Sequence, residues 1–204
     1  MEFEDIVRSR RMIRDFLTDP VKPAVLDHLL DLARRVPSAG FSQGIDFVVF
    51  DGPEQTARFW DHTLSAERRA LFPWPGLLNA PVIVLPMSDE RAYLDRYSQP
   101  DKAHAGLGES ASTWPVPYWH IDTAMAAMVI LQAAVNAGLG ALFFGIFQNE
   151  AALLADLGVP KGVRPIGAIA IGHPTEAART VKREASAAKR PRRPLDETIH
   201  RNGW

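Results

Sequence analysis

Residues 40–44 read Gly-Phe-Ser-Gln-Gly, a G-x-S-x-G spacing that can present a serine as a hydrolase nucleophile. That chemistry needs Ser42 on the sharp turn leaving a strand and entering a helix. Two further clusters are chemically suggestive. Arg8, Arg10, Arg11 and Arg14 stand within residues 8–14 with no acid among them. Arg179, Lys182, Arg183, Lys189, Arg190, Arg192 and Arg193 stand within residues 179–193 against Glu184 alone. Guanidinium groups donate paired, charge-assisted bonds, so basic segments at opposite ends of the chain suit one local anion. Solvated surface is the alternative reading of each run.

The surrounding elements decide between these chemistries. Residues 22–35 carry Val25, Leu26, Leu29, Leu32, Ala33 and Val36 at helical spacing. Pro23 suits the first turn, Arg34 and Arg35 suit the C-terminal dipole, and Pro37 ends the run. A loop over Ser38–Gly44 follows, then a short strand at 45–50, "IDFVVF". Helix, loop, strand is the reverse of a nucleophile elbow, so Ser42 is not expected to attack anything. The small residues Ser38, Ala39 and Gly40 instead allow a flat ligand to approach main-chain groups.

Further along, Glu54–Trp60 and Ser65–Leu71 read as short helical pieces, and 80–87 as a buried strand. Residues 88–117, rich in Asp, Pro, Ser and Gly, read as a lid or crossing segment. Residues 119–137 form a helix apolar almost all round, expected to be buried on every side, in a core or a subunit interface. Gly138 caps it in the left-handed region. A strand at 141–147, a helix at 149–158 ending before Pro160, and a strand at 164–174 complete the pattern. The class is α+β or α/β, and the expectation is a central mixed or antiparallel sheet of four to five strands flanked by helices. Residues 1–204 form one domain, with 175–204 as a basic C-terminal extension.

Composition excludes several functions. Of 204 residues, 47% are hydrophobic and 23% charged, an ordinary globular balance. The net charge of −1 offers no global field for nucleic acid or anionic membrane. With no cysteine there is no disulfide, thiolate metal site or cysteine nucleophile. His28, His62, His104, His120, His173 and His200 form no H-E-x-x-H, so no metal is expected. No G-x-G-x-x-G follows a strand, so any dinucleotide would visit rather than bind in the Rossmann manner. No uncharged apolar run reaches the roughly 20 residues of a membrane span. The N-terminus has no signal-peptide core, so a soluble cytoplasmic protein is expected.

Four separated stretches together resemble the FMN-dependent nitroreductases: "RSRRMIRDF" at 8–16, "ARRVPSAGFSQGIDFVVF" at 33–50, "DTAMAAMVILQAAVNAGLGALFFGIF" at 122–147, and "IGAIAIGHP" followed by "KRPRRPLDETIH". The resemblance implies a homodimer with flavin at the subunit interface. It implies FMN phosphate ligands at Arg10, Arg11, Arg190 and Arg192, and a basic residue, Arg14, beside the flavin pyrimidine. A cation there would favour negative charge on the reduced ring; an ion pair with Asp15 or Asp19 is the competing role for Arg14. Pro37, Ser38, Ala39, Phe41 and Gln43 match the loop that lines the isoalloxazine ring bound mainly by the partner subunit. Gly145 and Ile146 match the positions that offer a backbone N–H to flavin N5. No side chain is implied as a catalyst, since the flavin carries the chemistry. NAD(P)H would be the transient electron donor and a nitroaromatic, quinone or similar small molecule the acceptor, in ping-pong order.

Three departures bear on that reading. Phe41 stands where the family loop commonly has a polar residue, Gly44-Ile45-Asp46 replaces a Gln-Pro-Trp-type ending, and Gly145 stands where several members carry an acid. Trp114, Tyr118 and Trp119 are either core or interface residues or additional cover over the site. A narrow site motivates the alternative of an FMN storage or sequestration protein with little turnover. An oxygen-dependent flavin-fragmenting enzyme of the same fold is a third reading.

Overall fold

The computed structural model describes residues 1–180 and 191–204. In chain order the elements are α1 (Phe3–Ser9), α2 (Pro23–Ala33), β1 (Ile45–Asp51), α3 (Pro53–Thr63), α4 (Ala66–Ala70), β2 (Val82–Asp89) and α5 (Glu90–Tyr97). Then follow α6 (Tyr118–Asn136), β3 (Gly140–Phe144), α7 (Glu150–Asp156), β4 (Val163–Pro165), β5 (Ala168–Gly172) and α8 (Glu176–Thr180). The fold is α+β, with an antiparallel sheet in the order β1-β2-β5-β3 and β4 pairing with β2.

Both faces of the sheet are buried, and alternation along the strands sorts the side chains. Val82 and Val84 of β2, with Ile169 and Ile171 of β5, pack with Leu26 and Leu29 of α2 and Ala126, Ile130 and Ala134 of α6. Ile83, Leu85 and Met87, with Ala168 and Ala170, face Phe59 and Trp60 of α3 and Leu153 of α7. The result is a three-layer arrangement in which a period-2 pattern serves two separate helix layers.

Two expectations need correction. The last strand is two strands, because the register against β2 shifts by one residue between Met87↔Pro165 and Val84↔Ile169. That extra residue is a bulge at Ile166–Gly167. A Cβ on Gly167 would sit 2.7 Å from the Phe144 carbonyl, which explains the glycine. The β3 ladder ends at Phe144↔Ala168, beside that bulge, so Gly145–Phe147 leave the sheet instead of continuing the strand. The long helix α6 supplies much of the core, as expected, and in this chain its remaining apolar face stays open at Ile121, Met125 and Met128, which are 41%, 36% and 43% exposed.

The N-terminal segment runs alongside the edge strand β3 and on to the end of β5. Ile13 N–H donates to Ala141 (3.0 Å), Phe16 N–H to Gly76 (3.1 Å) and Leu17 N–H to His173 (2.8 Å). A parallel bridge joins Met12 to Ala141, so Arg14 is carried to the region where β3 ends.

Candidate functional site

A half-open cavity of about 340 Å³ lies where β3 gives out. Arg14 reaches it from the N-terminal segment, Phe59 and Trp60 from α3, Arg68 from α4, Phe72 and Trp74 from the following turn, and Gly145–Gln148 from the end of β3. Its walls are ring upon ring. Trp60 stacks on Phe144 with centroids 5.7 Å apart and planes 11° from parallel. Phe59 meets Trp60 edge-on at 5.0 Å. Such contacts fix ring positions beyond simple burial.

Polar groups at this cavity are left with capacity. Arg14 donates to the Met12 carbonyl (3.2 Å) and lies over the Trp74 ring at 5.2 Å, a cation–π contact. Neither Asp15 nor Asp19 pairs with it among the described residues; Asp15 accepts from Thr175 Oγ1 at 2.6 Å. The half-buried amides of Gly145 and Ile146 donate no hydrogen bond among the described residues. Trp60 Nε1 is buried without a partner among them. Main-chain donors left uncommitted at a ring-lined cavity suit a flat ligand that accepts hydrogen bonds. Above Gly145 sits the Phe147 ring: a Cβ added there would meet its Cζ at 2.6 Å.

The loop after α2 is built differently. Gly40, Phe41 and Gln43 all have positive φ (62°, 59° and 54°), and two of them are not glycine. A left-handed non-glycine costs about 1–2 kcal/mol, so this geometry must be imposed by partners. Ala39 N–H donates to Asp122 Oδ2 at 2.9 Å, and Tyr93 OH donates to the same oxygen at 2.8 Å. Arg96 Nε donates to the Gly40 carbonyl at 2.8 Å while its guanidinium pairs with Asp101. Gln43 N–H donates to Ser38 Oγ at 3.0 Å, and the Gly44 carbonyl accepts from Asp89 N–H at 3.0 Å. Ser42 Oγ donates to the Ala39 carbonyl at 2.6 Å, so its hydroxyl closes the turn. Ser42 is a structural residue of a helix–loop–strand connection.

The structure therefore divides the sequence-derived site residues. Arg14, Gly145 and Ile146 line one cavity. Pro37, Ser38, Ala39, Phe41 and Gln43 lie together on the loop, and none of them lines that cavity. Phe41 is 72% exposed. Arg10 caps α1 and is half-buried; Arg11 is exposed and folds its Nη1 onto the carbonyls of Arg8, Ser9 and Arg10. Arg192 sits in an exposed C-terminal stretch, and Arg190 falls outside the described residues. Trp114 and Trp119 are core residues around Tyr93, whereas Tyr118 is exposed.

Sequence reasoning missed Asp122, Trp60 and the segment Arg68–Trp74. Asp122 left a signal: it is the one acidic residue in a 19-residue, mostly apolar helix, and it is 2% exposed. A buried carboxylate requires donors, and it has two. Burial first, then the bond to and charge of Asp122, push the Tyr93 hydroxyl well above its ordinary value, so it stays a donor. A serine–histidine contact also exists elsewhere, Ser88 Oγ to His120 Nδ1 at 3.0 Å. Ser88 is wholly buried, so the contact is internal packing. Burial first, and Arg164 second, hold His120 below its ordinary value against the opposing pull of Glu90.

The model of the Nitroreductase family matches residues 7–173. An NADPH-dependent oxidoreductase of Staphylococcus aureus is 24% identical over 203 residues, 98% of this chain and 73% of the relative. Among solved structures, the NfrA1 nitroreductase of B. subtilis superposes with a TM-score of 0.73 at 20% identity, over 98% of this chain and 74% of that one. A Desulfovibrio desulfuricans protein described as a nitroreductase and solved in complex with FMN superposes with a TM-score of 0.69 at 22% identity, over 100% and 98%.

Proposed function

The chain belongs to the Nitroreductase family, and on that premise we propose that it is an FMN-dependent oxidoreductase using NAD(P)H to reduce a small nitroaromatic, quinone or similar acceptor. The observation that carries this reading is the convergence of Arg14 with the unpaired amides of Gly145 and Ile146 on one ring-lined cavity. Those groups fit a flavin. The ring needs apolar walls, a cation near its pyrimidine edge and main-chain donors. Arg14, on a lining with no carboxylate among the described residues, suits its negative charge on reduction.

When bound, FMN supplies the redox chemistry, taking hydride from the donor and passing electrons to the acceptor in alternating half-reactions. The chain's own part is placement and charge. Arg14, fixed by the Met12 carbonyl and the Trp74 face, would favour negative charge on the pyrimidine side. The amides of Gly145 and Ile146 would donate toward N5 without needing any particular side chain. Phe59, Trp60 and Phe144 would shield one side of the ring from water, which would strengthen each of these interactions. Arg10, Arg11, Arg190 and Arg192 would hold the phosphate.

The proposed assembly is a homodimer. The loop at 37–43 does not line the cavity of its own chain, and α6 exposes Ile121, Met125 and Met128. Both features suit a site shared across a two-fold axis, with the loop of one subunit facing the flavin of the other.

The test is an anaerobic titration of FMN-reconstituted protein with NADPH and then NADH. Bleaching of the oxidised-flavin band within seconds, reversed by a quinone or nitro compound, is expected; a band that persists with both donors would overturn the reading. A second reading, flavin storage with little turnover, draws on Phe147, whose ring crowds Gly145, and it gains from the same negative result. For the phosphate ligands, Arg10→Ala and Arg192→Ala should each weaken FMN binding ten-fold or more, from loss of a charge-assisted bond of about 1.5–3 kcal/mol. Unchanged FMN affinity in both variants would remove them from the site.

A further inference from the structure

Two adjacent arginines in α4 have opposite fates. Arg69 is tied down, with Nε donating to the Leu64 carbonyl (3.0 Å) and Nη2 to Asp61 (2.6 Å). Arg68 is exposed, lines the cavity and forms no ion pair among the described residues. Its neighbour Glu67 forms no ion pair with it among the described residues. Among the described residues the cavity lining carries two charged side chains, Arg14 and Arg68, both cationic, and no carboxylate.

On the oxidoreductase reading Arg14 serves the flavin edge. Arg68 is then an unbalanced cation beside an aromatic wall that includes Trp60, Phe72 and Trp74. An acceptor held there needs a flat apolar body to lie against the rings and an anionic group to meet the guanidinium. We propose that Arg68 is a specificity-determining residue, forming with Phe72 a subsite for planar aromatic acids, and so selecting carboxylate-bearing acceptors over neutral ones. The planar guanidinium matches a carboxylate with two parallel bonds, and the neighbouring rings add a surface for the aromatic body. The inference rests on the flavin reading only for the word acceptor; the subsite itself is a binding claim.

The experiment compares 4-nitrobenzoate with 4-nitrobenzamide, similar in size and different in charge. Calorimetric titration into oxidised, FMN-reconstituted protein without any electron donor measures binding alone, in wild type, Arg68→Gln and Arg68→Glu. The wild type should bind the acid at least five-fold more tightly than the amide. Arg68→Gln should erase that preference and Arg68→Glu should reverse it, with FMN affinity within two-fold of wild type in both. With NADPH present, kcat/KM ratios for the two compounds should follow the binding ratios. No acid preference in the wild type, or a preference that survives both substitutions, would overturn the proposal. So would a ten-fold loss of FMN affinity in Arg68→Gln, which would make Arg68 a flavin ligand. Acid preference without NADPH turnover would sink the oxidoreductase reading and leave the subsite standing.

Discussion

The loop at 38–44 and the cavity rim at 145–148 are both made largely of small, polar and aromatic residues, yet they are stabilised in opposite ways. In the loop, backbone polar groups are paired within the chain: Ala39 with Asp122, Gly40 with Arg96, Gln43 with Ser38, Gly44 with Asp89. These bonds hold Gly40, Phe41 and Gln43 at positive φ. At the rim, the amides of Gly145 and Ile146 are unpaired among the described residues, and shape comes from ring packing. The difference suggests a division of labour. A surface presented to a ligand by its shape must be held by its own chain, while a surface that binds by donating must keep its donors uncommitted.

The largest test of this contrast is Asp122→Ala. It would leave the buried Tyr93 hydroxyl and the half-buried Ala39 amide without their acceptor. Each unsatisfied buried donor costs about 1–3 kcal/mol, so a loss of about 3 kcal/mol is expected in urea unfolding. A loss under about 1 kcal/mol would mean that the loop is not held from α6.

A pair of glycines sharpens the comparison at the next size of effect. At Gly44 an added Cβ would stand 2.7 Å from the Asp89 carbonyl and 2.7 Å from Cε2 of buried Tyr93. At Gly145 it would stand 2.6 Å from Phe147 Cζ, on a side chain that is 92% exposed. The distances are alike, but backbone cannot yield and an exposed ring can. Gly44→Ala should lose about 1–3 kcal/mol, as overpacking does, and Gly145→Ala should stay within about 0.5 kcal/mol. Similar losses in thermal unfolding would erase the distinction between a fixed loop and an adaptable rim.

What was legible in the sequence divides along the same line. Helix, loop and strand over 22–50 could be read because hydrophobic spacing, Pro37 and a β-rich run are local signals, and they sufficed to dismiss Ser42 as a nucleophile. Arg14, Gly145 and Ile146 were singled out through resemblance, and the Met12–Ala141 bridge explains how residues so far apart in sequence come to line one cavity. What escaped was tertiary. Nothing near Trp60 or Arg68 says that they face the end of β3. The bulge at Ile166–Gly167, beside which that strand ends early, is a matter of register against β2 that periodicity alone cannot resolve. Asp122 was the exception, since a lone acid in an apolar helix demands buried partners wherever that helix packs.

A smaller effect separates strain from anchoring within the loop. Phe41 adopts a left-handed φ of 59° with its ring mostly in solvent. Glycine accepts that conformation without a Cβ clash, so Phe41→Gly should raise stability by up to about 1 kcal/mol. If Phe41 faces the partner's flavin, the same variant should change the absorbance of bound FMN. A stability loss instead would mean that the ring contributes packing which outweighs its backbone strain.

The finest test concerns Arg96, whose guanidinium joins the Gly40 carbonyl to Asp101. The hydrogen bond from Arg96 holds the Asp101 carboxyl at about 2, below an ordinary carboxylate. A folded-state value depressed in this way means that the interaction is complete above the unfolded pKa of about 3.9 and fades as pH falls toward about 2. The pair is exposed, so its effect on global stability is small, and the informative readout is local. An NMR titration should find the Asp101 carboxyl shifting with a midpoint of about 2 in wild type, returning to the ordinary range in Arg96→Gln. Loop amides from Ala39 to Gln43 should move with Asp101 in the wild type, because the same arginine holds both. A wild-type midpoint of about 3.9 would mean that the pair is not formed in solution. The loop would then depend on Asp122 and its own internal bonds, with the segment carrying Arg96 excluded from the anchoring.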